Sequence, residues 1–206
     1  IKNGNEKGAL SLMKQQITEN PNDIELRIRY SLFIQGVPFE NYPEALDVLS
    51  EVLNVESLNI RAIILKAYIE DIHQGEISDW TYELIEKCIA NRKQEEYGYF
   101  QLFMVKALYY RYKNPEQYEL ALKAANENDL LSSTPCFLLG EYYEGIEEKK
   151  SEKWINKAID NVTLIYDDNY FFNPTSFEEF INESIRGVHL SKVNYEGLLE
   201  KVNKLL

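Results

Sequence analysis

Reactive side chains are few in this sequence. The ones that could carry chemistry are two histidines, two cysteines and a pair of adjacent aspartates. Histidine is the side chain best suited to proton transfer or metal ligation near neutral pH. His73 and His189 stand far apart, though, and neither lies in a Ser-His-Asp or Cys-His signature, so both read as solvated or helix-end residues. Cys88 and Cys136 provide no disulfide framework and no zinc-ligand spacing, and they read as buried thiols. Asp167-Asp168 offers hard oxygen ligands, yet the alternating spacing and closing glutamate of a calcium loop are missing, so a solvated loop tip is expected. Glu147-Glu148-Lys149-Lys150 reads as a solvated turn. No glycine-rich phosphate loop is present. The expectation is a chain with no catalytic residue, no metal and no cofactor, and with no stoichiometric site for zinc, calcium or ATP. A helical enzyme is the least favoured class, because no convergent polar set is visible.

Charge narrows the partners. The 206 residues carry 22 Lys plus Arg against 34 Asp plus Glu, a net charge of −12. Divided after Phe100, the balance is 10 − 17 = −7 and 12 − 17 = −5, so neither half hides a basic arm. A duplex DNA or RNA binder draws its affinity from Lys and Arg on phosphates, and no nucleic acid is expected here. A hydrophobic content of 45% with 13% aromatics suffices for a core, as one domain or an elongated array. No run approaches the ~18 uninterrupted apolar residues of a membrane span. The lack of a disulfide framework points to the cytoplasm. No signal segment is visible, and a first residue of Ile1 rather than Met predicts a fragment or a trimmed chain.

Position along the chain carries more information than composition. Apolar residues recur at three- and four-residue intervals, the mark of one-sided helices. Leu26-Ile28-Tyr30-Leu32-Phe33 is followed by Ala45-Val48-Leu49-Val52-Leu53, and the alternation continues to Trp154-Ile155-Ala158-Ile159. Gly36 with Pro38, Gly75, Asn114 with Pro115, and Gly145 break the runs into pairs, which predicts helical hairpins. Small residues at the expected crossing point of the first helices are Ser31, Ala67, Ala107 and Gly140, with gaps of 36, 40 and 33. The equivalent positions on the second helices are Ala9, Ala45, Thr81, Ala121 and Trp154, with gaps of 36, 36, 40 and 33. First and second anchors differ by 14 in every complete pair. Asn22-Asp23 and Ser78-Asp79 are expected N-caps.

Leu139-Gly140-Glu141-Tyr142-Tyr143-Glu144-Gly145, followed by Lys157-Ala158-Ile159, resembles a Sel-one-like repeat. Lys106-Ala107-Leu108-Tyr109-Tyr110 with Tyr118-Glu119-Leu120-Ala121 is similar to the tetratricopeptide pattern, as are Tyr42-Pro43-Glu44-Ala45 and Asn20-Pro21-Asn22-Asp23. The likeness covers roughly residues 6–163. Three departures stand out: Arg27 replaces the usual early aromatic, and Thr81 and Trp154 replace alanines. The resemblance implies an all-α, right-handed superhelical solenoid of antiparallel helix pairs. Its expected layout is an array over residues 1–163, with a partial hairpin at 1–20 and full hairpins at 22–57, 58–94, 96–132 and 134–163. Residues 164–206 then form a C-terminal helical cap, with Tyr170-Phe171-Phe172 packed beneath it. Stacking supplies the core that one hairpin cannot build alone.

The same resemblance implies that the first helix of each hairpin lines a concave binding groove. In the proposed register the outward positions are Glu25, Arg61, Tyr68, Arg111, Tyr112, Glu141 and Glu144. Tyr110 is then the core tyrosine and Tyr112 the exposed one. The lysine-asparagine clamp of chaperone adaptors is absent, which lowers the expectation of a C-terminal-tail binder. The function expected is a non-catalytic protein-interaction scaffold for a peptide or folded partner. The alternative is an immunity protein that neutralises a basic toxin such as a nuclease, because an acidic surface steers a basic partner. The Asp167–Phe172 loop is the second candidate interface.

Overall fold

The structure is a computed structural model that describes residues 6–91, 98–130 and 132–167, with side chains through Asn161. The described residues are all-helical: α1 (Glu6–Glu19), α2 (Ile24–Gln35), α3 (Tyr42–Val55), α4 (Ile60–Gln74), α5 (Asp79–Asn91), α6 (Tyr99–Tyr110), α7 (Pro115–Asn128), α8 (Thr134–Tyr143) and α9 (Glu148–Asp167). They fall into two compact units, Ile1–Asn91 and Arg92–Leu206. Most of the expected cap, including His189, lies outside the described residues.

The starts of α2 to α5 are each set by a polar residue of their own. Asp23 accepts the Leu26 amide at 2.9 Å, Asn59 accepts that of Ala62 at 3.1 Å, and Ser78 Oγ accepts that of Thr81 at 3.3 Å. Asn41 caps α3 just ahead of Pro43, whose missing N–H costs nothing in the first turn. Gly75 ends α4 in the left-handed region at φ 79°, a conformation that glycine adopts without strain. Helices α2 and α3 pair, α3 packs on α4, and α4 pairs with α5. Helix α4 is the most enclosed of them: Ile60, Ala62, Ile63, Ile64, Leu65, Ala67 and Ile69 are all buried. Ser31, Ala45, Ala67 and Thr81, the small residues of the repeat, are each fully buried.

Thr81 stands where the repeat pattern asks for alanine, and its hydroxyl explains the departure. It donates to Glu70 Oε1 at 3.1 Å. Glu70 also accepts the Ser78 amide at 3.1 Å and the Ser78 hydroxyl at 3.0 Å, and it pairs with Lys66 at 2.8 Å. Both charged side chains are buried, so the ion pair is tolerable only because the carboxylate is also hydrogen-bonded. The Lys66 ammonium lies 5.4 Å from the centroid of the Trp80 ring.

The second unit stacks α6 on α7, α7 on α8 and α8 on α9. Asn114 caps α7 by accepting the Gln117 amide at 3.1 Å. Gly140 is where α8 and α9 meet most closely: a Cβ placed there would sit 2.5 Å from Ile155 Cδ1 and 2.7 Å from Cγ1. Ser151 Oγ reinforces the crossing by donating to the Gly140 carbonyl at 2.8 Å. Ala107 and Ala121 are buried, while Trp154 is half-buried beside Ile155. Cys136 is fully buried and its thiol donates to Asn126 Oδ1 at 3.2 Å, an oxygen that also accepts from Lys157 at 2.9 Å. Asn161 on α9 donates to the Leu130 and Ser132 carbonyls at 2.9 and 3.0 Å, fastening the α7–α8 linker.

Candidate interaction surfaces

Glu25 opens α2 and Arg61 opens α4, one repeat of 36 residues further on. The structure joins them: Arg61 donates to Glu25 Oε2 at 2.7 Å, and Arg29 takes Oε1 at 2.9 Å. These side chains are partly exposed, so the pairs fix register more than they add stability. Tyr68 lies seven residues beyond Arg61, two helical turns on and therefore on the same face of α4; it is half-buried.

The remaining candidates belong to the second unit. Helix α6 ends at Tyr110, so Arg111 is its C-cap and Tyr112 sits in the turn rather than on a helical face. Arg111 stacks over the Tyr112 ring at 4.9 Å, and Tyr112 is 82% exposed. Tyr110, expected in the core, is only half-buried, with its ring edge against Tyr109. On α8, Glu141 is half-buried and Glu144 is exposed at the C-cap, three residues on. Burial, followed by the neighbouring Glu144 charge, pushes the Glu141 carboxyl above its ordinary pKa.

Other carboxylates are held differently. The Tyr30 hydroxyl donates to Glu44, and Lys14 pairs with it at 3.2 Å; with Tyr30 the larger influence, its pKa is lowered. Glu119 is lowered by Lys123 first and then by the Tyr143 hydroxyl. Burial pushes the Cys136 thiol up to about 11, against the smaller opposing pull of Lys157, so this thiol is unreactive. Cys88 and Cys136 are both buried and form no disulfide with each other, as the sequence suggests.

One feature escaped sequence reasoning. Arg27, noted only as a departure, sends Nε to the Pro21 carbonyl at 3.0 Å and Nη1 to Glu51 at 2.6 Å. Beside it opens a cleft of about 360 Å³, lined by Pro21, Asn22, Ile24, Arg27, Glu51, Val52 and Val55. Among the described residues, no group of His, Cys, Asp and Glu side chains could hold a metal ion, and no helix is long and apolar enough to cross a membrane.

No protein-family profile matches the sequence, and no curated protein matches it. Solved structures do. A crystal structure of MamA, a tetratricopeptide-like helical repeat protein, is 14% identical with a TM-score of 0.65, covering 82% of this chain and 94% of its own. The chain has a tetratricopeptide-like repeat fold. MamA residues 41 to the end from Desulfovibrio magneticus RS-1 give 17% identity and a TM-score of 0.63, with 78% and 88% covered. The MamA RS-1 ArsTM double mutant gives 17% identity and a TM-score of 0.64, with 82% and 90% covered. Identities this low carry the fold alone. The immunity-protein alternative gains no support from any of these likenesses.

Proposed function

We propose that the chain is a non-catalytic protein-interaction scaffold. It takes a peptide or folded protein on the outward surfaces and C-terminal ends of its first helices, at Glu25, Arg61, Tyr68, Arg111, Tyr112, Glu141 and Glu144. The observation that carries the reading is Glu141. Its carboxylate is half-buried and raised in pKa, with the like charge of Glu144 three residues away and no cation paired with it among the described residues. A partner bringing a cation to this point relieves both the desolvation and the repulsion. Exposed Tyr112, with Arg111 stacked on its face, supplies an amphipathic anchor of the kind that concentrates interface energy. The acidic charge of −12 fits a basic protein surface rather than nucleic acid. Two unbridged cysteines fit a reducing compartment, and the proposal includes a cytoplasmic location.

The test is capture of partners from native lysate followed by surface plasmon resonance on the purified pair. Tyr112→Ala is expected to weaken binding by ~1–3 kcal/mol while leaving the melt intact. Glu141→Lys should slow association of a basic partner, chiefly at low salt. Wild-type kinetics in both variants would remove Tyr112 and Glu141, and with them the reading that rests on Glu141, from the interface.

A further inference from the structure

The cleft beside Arg27 is best understood through the repeat. A shift of 36 residues carries Ser31 onto Ala67 and Ala45 onto Thr81. The same shift carries Asn22 onto Leu58, Ile24 onto Ile60, Arg27 onto Ile63 and Val52 onto Cys88. At the later site Ile63 is fully buried, and the Cys88 thiol lies 3.9 Å from the Leu58 carbonyl. At the earlier site Arg27 replaces the buried filler Ile63, and Asn22 replaces Leu58, which is itself 42% exposed. Asn22 is short and exposed, and the Arg27 guanidinium turns outward to Pro21 and Glu51. The unfilled space is the cleft. Its apolar lining is Ile24, Val52 and Val55, and Val55 is 75% exposed. Its polar rim is Glu51, whose side chain is 64% exposed and uses Oε2 for Arg27.

We propose that this cleft receives one large aliphatic side chain of a protein partner, with an adjacent lysine or arginine on Glu51. The inference rests on the reading of the chain as a protein-interaction scaffold but uses a separate surface. The volume of about 360 Å³ lies at the small end of ligand clefts and suits a single side chain with the backbone that carries it. The apolar lining supplies the driving force. A carboxylate has about four lone-pair sites, so Glu51 retains acceptor capacity beyond Arg27. The Arg27 guanidinium is committed to Pro21 and Glu51, and the net charge of −12 favours approach of a basic segment over an acidic one.

The probe is a blocked tetrapeptide, Gly-Leu-Lys-Gly, titrated into the methyl-labelled full chain and followed by NMR. Its Gly-Leu-Glu-Gly counterpart is the control. Expected are shifts confined to the Ile24, Val52 and Val55 methyls and at least tenfold weaker binding of the glutamate peptide. Asn22→Leu, which puts a larger apolar side chain on the cleft lining, should weaken the lysine peptide at least tenfold while leaving the melt near wild type. If that variant fails to fold, Val55→Asp, at an exposed position, should give the same loss. Tyr112→Ala and Glu141→Lys should bind the peptide as wild type does, which separates failure of this cleft from failure of the first-helix surfaces. Four results would each overturn the proposal: no methyl shifts at millimolar peptide, equal binding of both peptides, unchanged binding in the cleft variants, or a dimer in sedimentation that Asn22→Leu dissolves.

Discussion

Replacing Gly140 by leucine tests the register of the second unit at its tightest point. The Cβ alone would meet Ile155 Cδ1 at 2.5 Å and Cγ1 at 2.7 Å, and the Ile155 backbone nitrogen lies at 3.4 Å. Alanine therefore needs only a displaced Ile155 side chain, at about 0.5–1.5 kcal/mol. That cost is offset by the ~1 kcal/mol helix preference of alanine over glycine, so Gly140→Ala should be near neutral. Leucine adds three further carbons against a backbone that cannot yield, an overpacking of ~1–3 kcal/mol. In a chain of this length that is a fall in Tm of about 2–12 °C. The decisive measurement is a cycle with Ile155→Val, which deletes the Cδ1 that clashes. Alone, that change costs ~0.5–1.5 kcal/mol. Combined with Gly140→Leu, it should be less destabilising than the sum by more than the ~0.5 kcal/mol scatter of independent sites. Additive melts, or a wild-type melt for Gly140→Leu, would refute the close crossing.

Glu70→Leu should cost ~3–5 kcal/mol in urea unfolding, because it strands Lys66 in the core, and Lys66→Met should recover much of it. Thr81→Val, which loses one donor to that carboxylate, should cost ~1.5–3 kcal/mol. The Cys136 thiol, raised from 9.0 to about 11, should make stability fall as pH climbs from 9 to 11, because the unfolded thiol ionises first; urea midpoints of Cys136→Ala should lack that part of the decline. Glu44 is depressed below 4.5, so its contribution is present above that pH and is lost as pH falls through the folded value; acid titration of Glu44→Gln should show a shallower loss.

Much of the fold is legible because a repeat writes the same constraint several times. Ser31, Ala67 and Ala107 can be aligned by spacing alone, and all three are fully buried. Asp23 and Ser78 announce their helices because capping is a contact over three residues. The candidate site is less legible. Spacing alone puts Tyr112 on a helical face because it does not mark where α6 stops, and the turn into Asn114-Pro115 claims it instead. Glu70 gave no signal, since its partners Ser78 and Thr81 lie across a turn and look like ordinary polar residues. Arg27 was visible as an anomaly, but its role depends on Glu51, 24 residues away on another helix.

The Glu70 cluster has a consequence for how a repetitive chain finds its own pairing. Hairpins built on one template invite misregistration, with one second helix docking where another belongs. An alanine at position 81 would allow such exchange, as Ala45 and Ala121 would be near-equivalents. Thr81 and Ser78 instead complete a carboxylate that, among the described residues, only α4 carries at that depth. If another second helix took the place of α5, Glu70 would be left buried with Lys66 alone, without its three hydrogen bonds from Ser78 and Thr81. The polar residue thus acts as an address, making α5 the partner that α4 accepts at lowest cost and discouraging swapped or slipped assemblies while the chain folds.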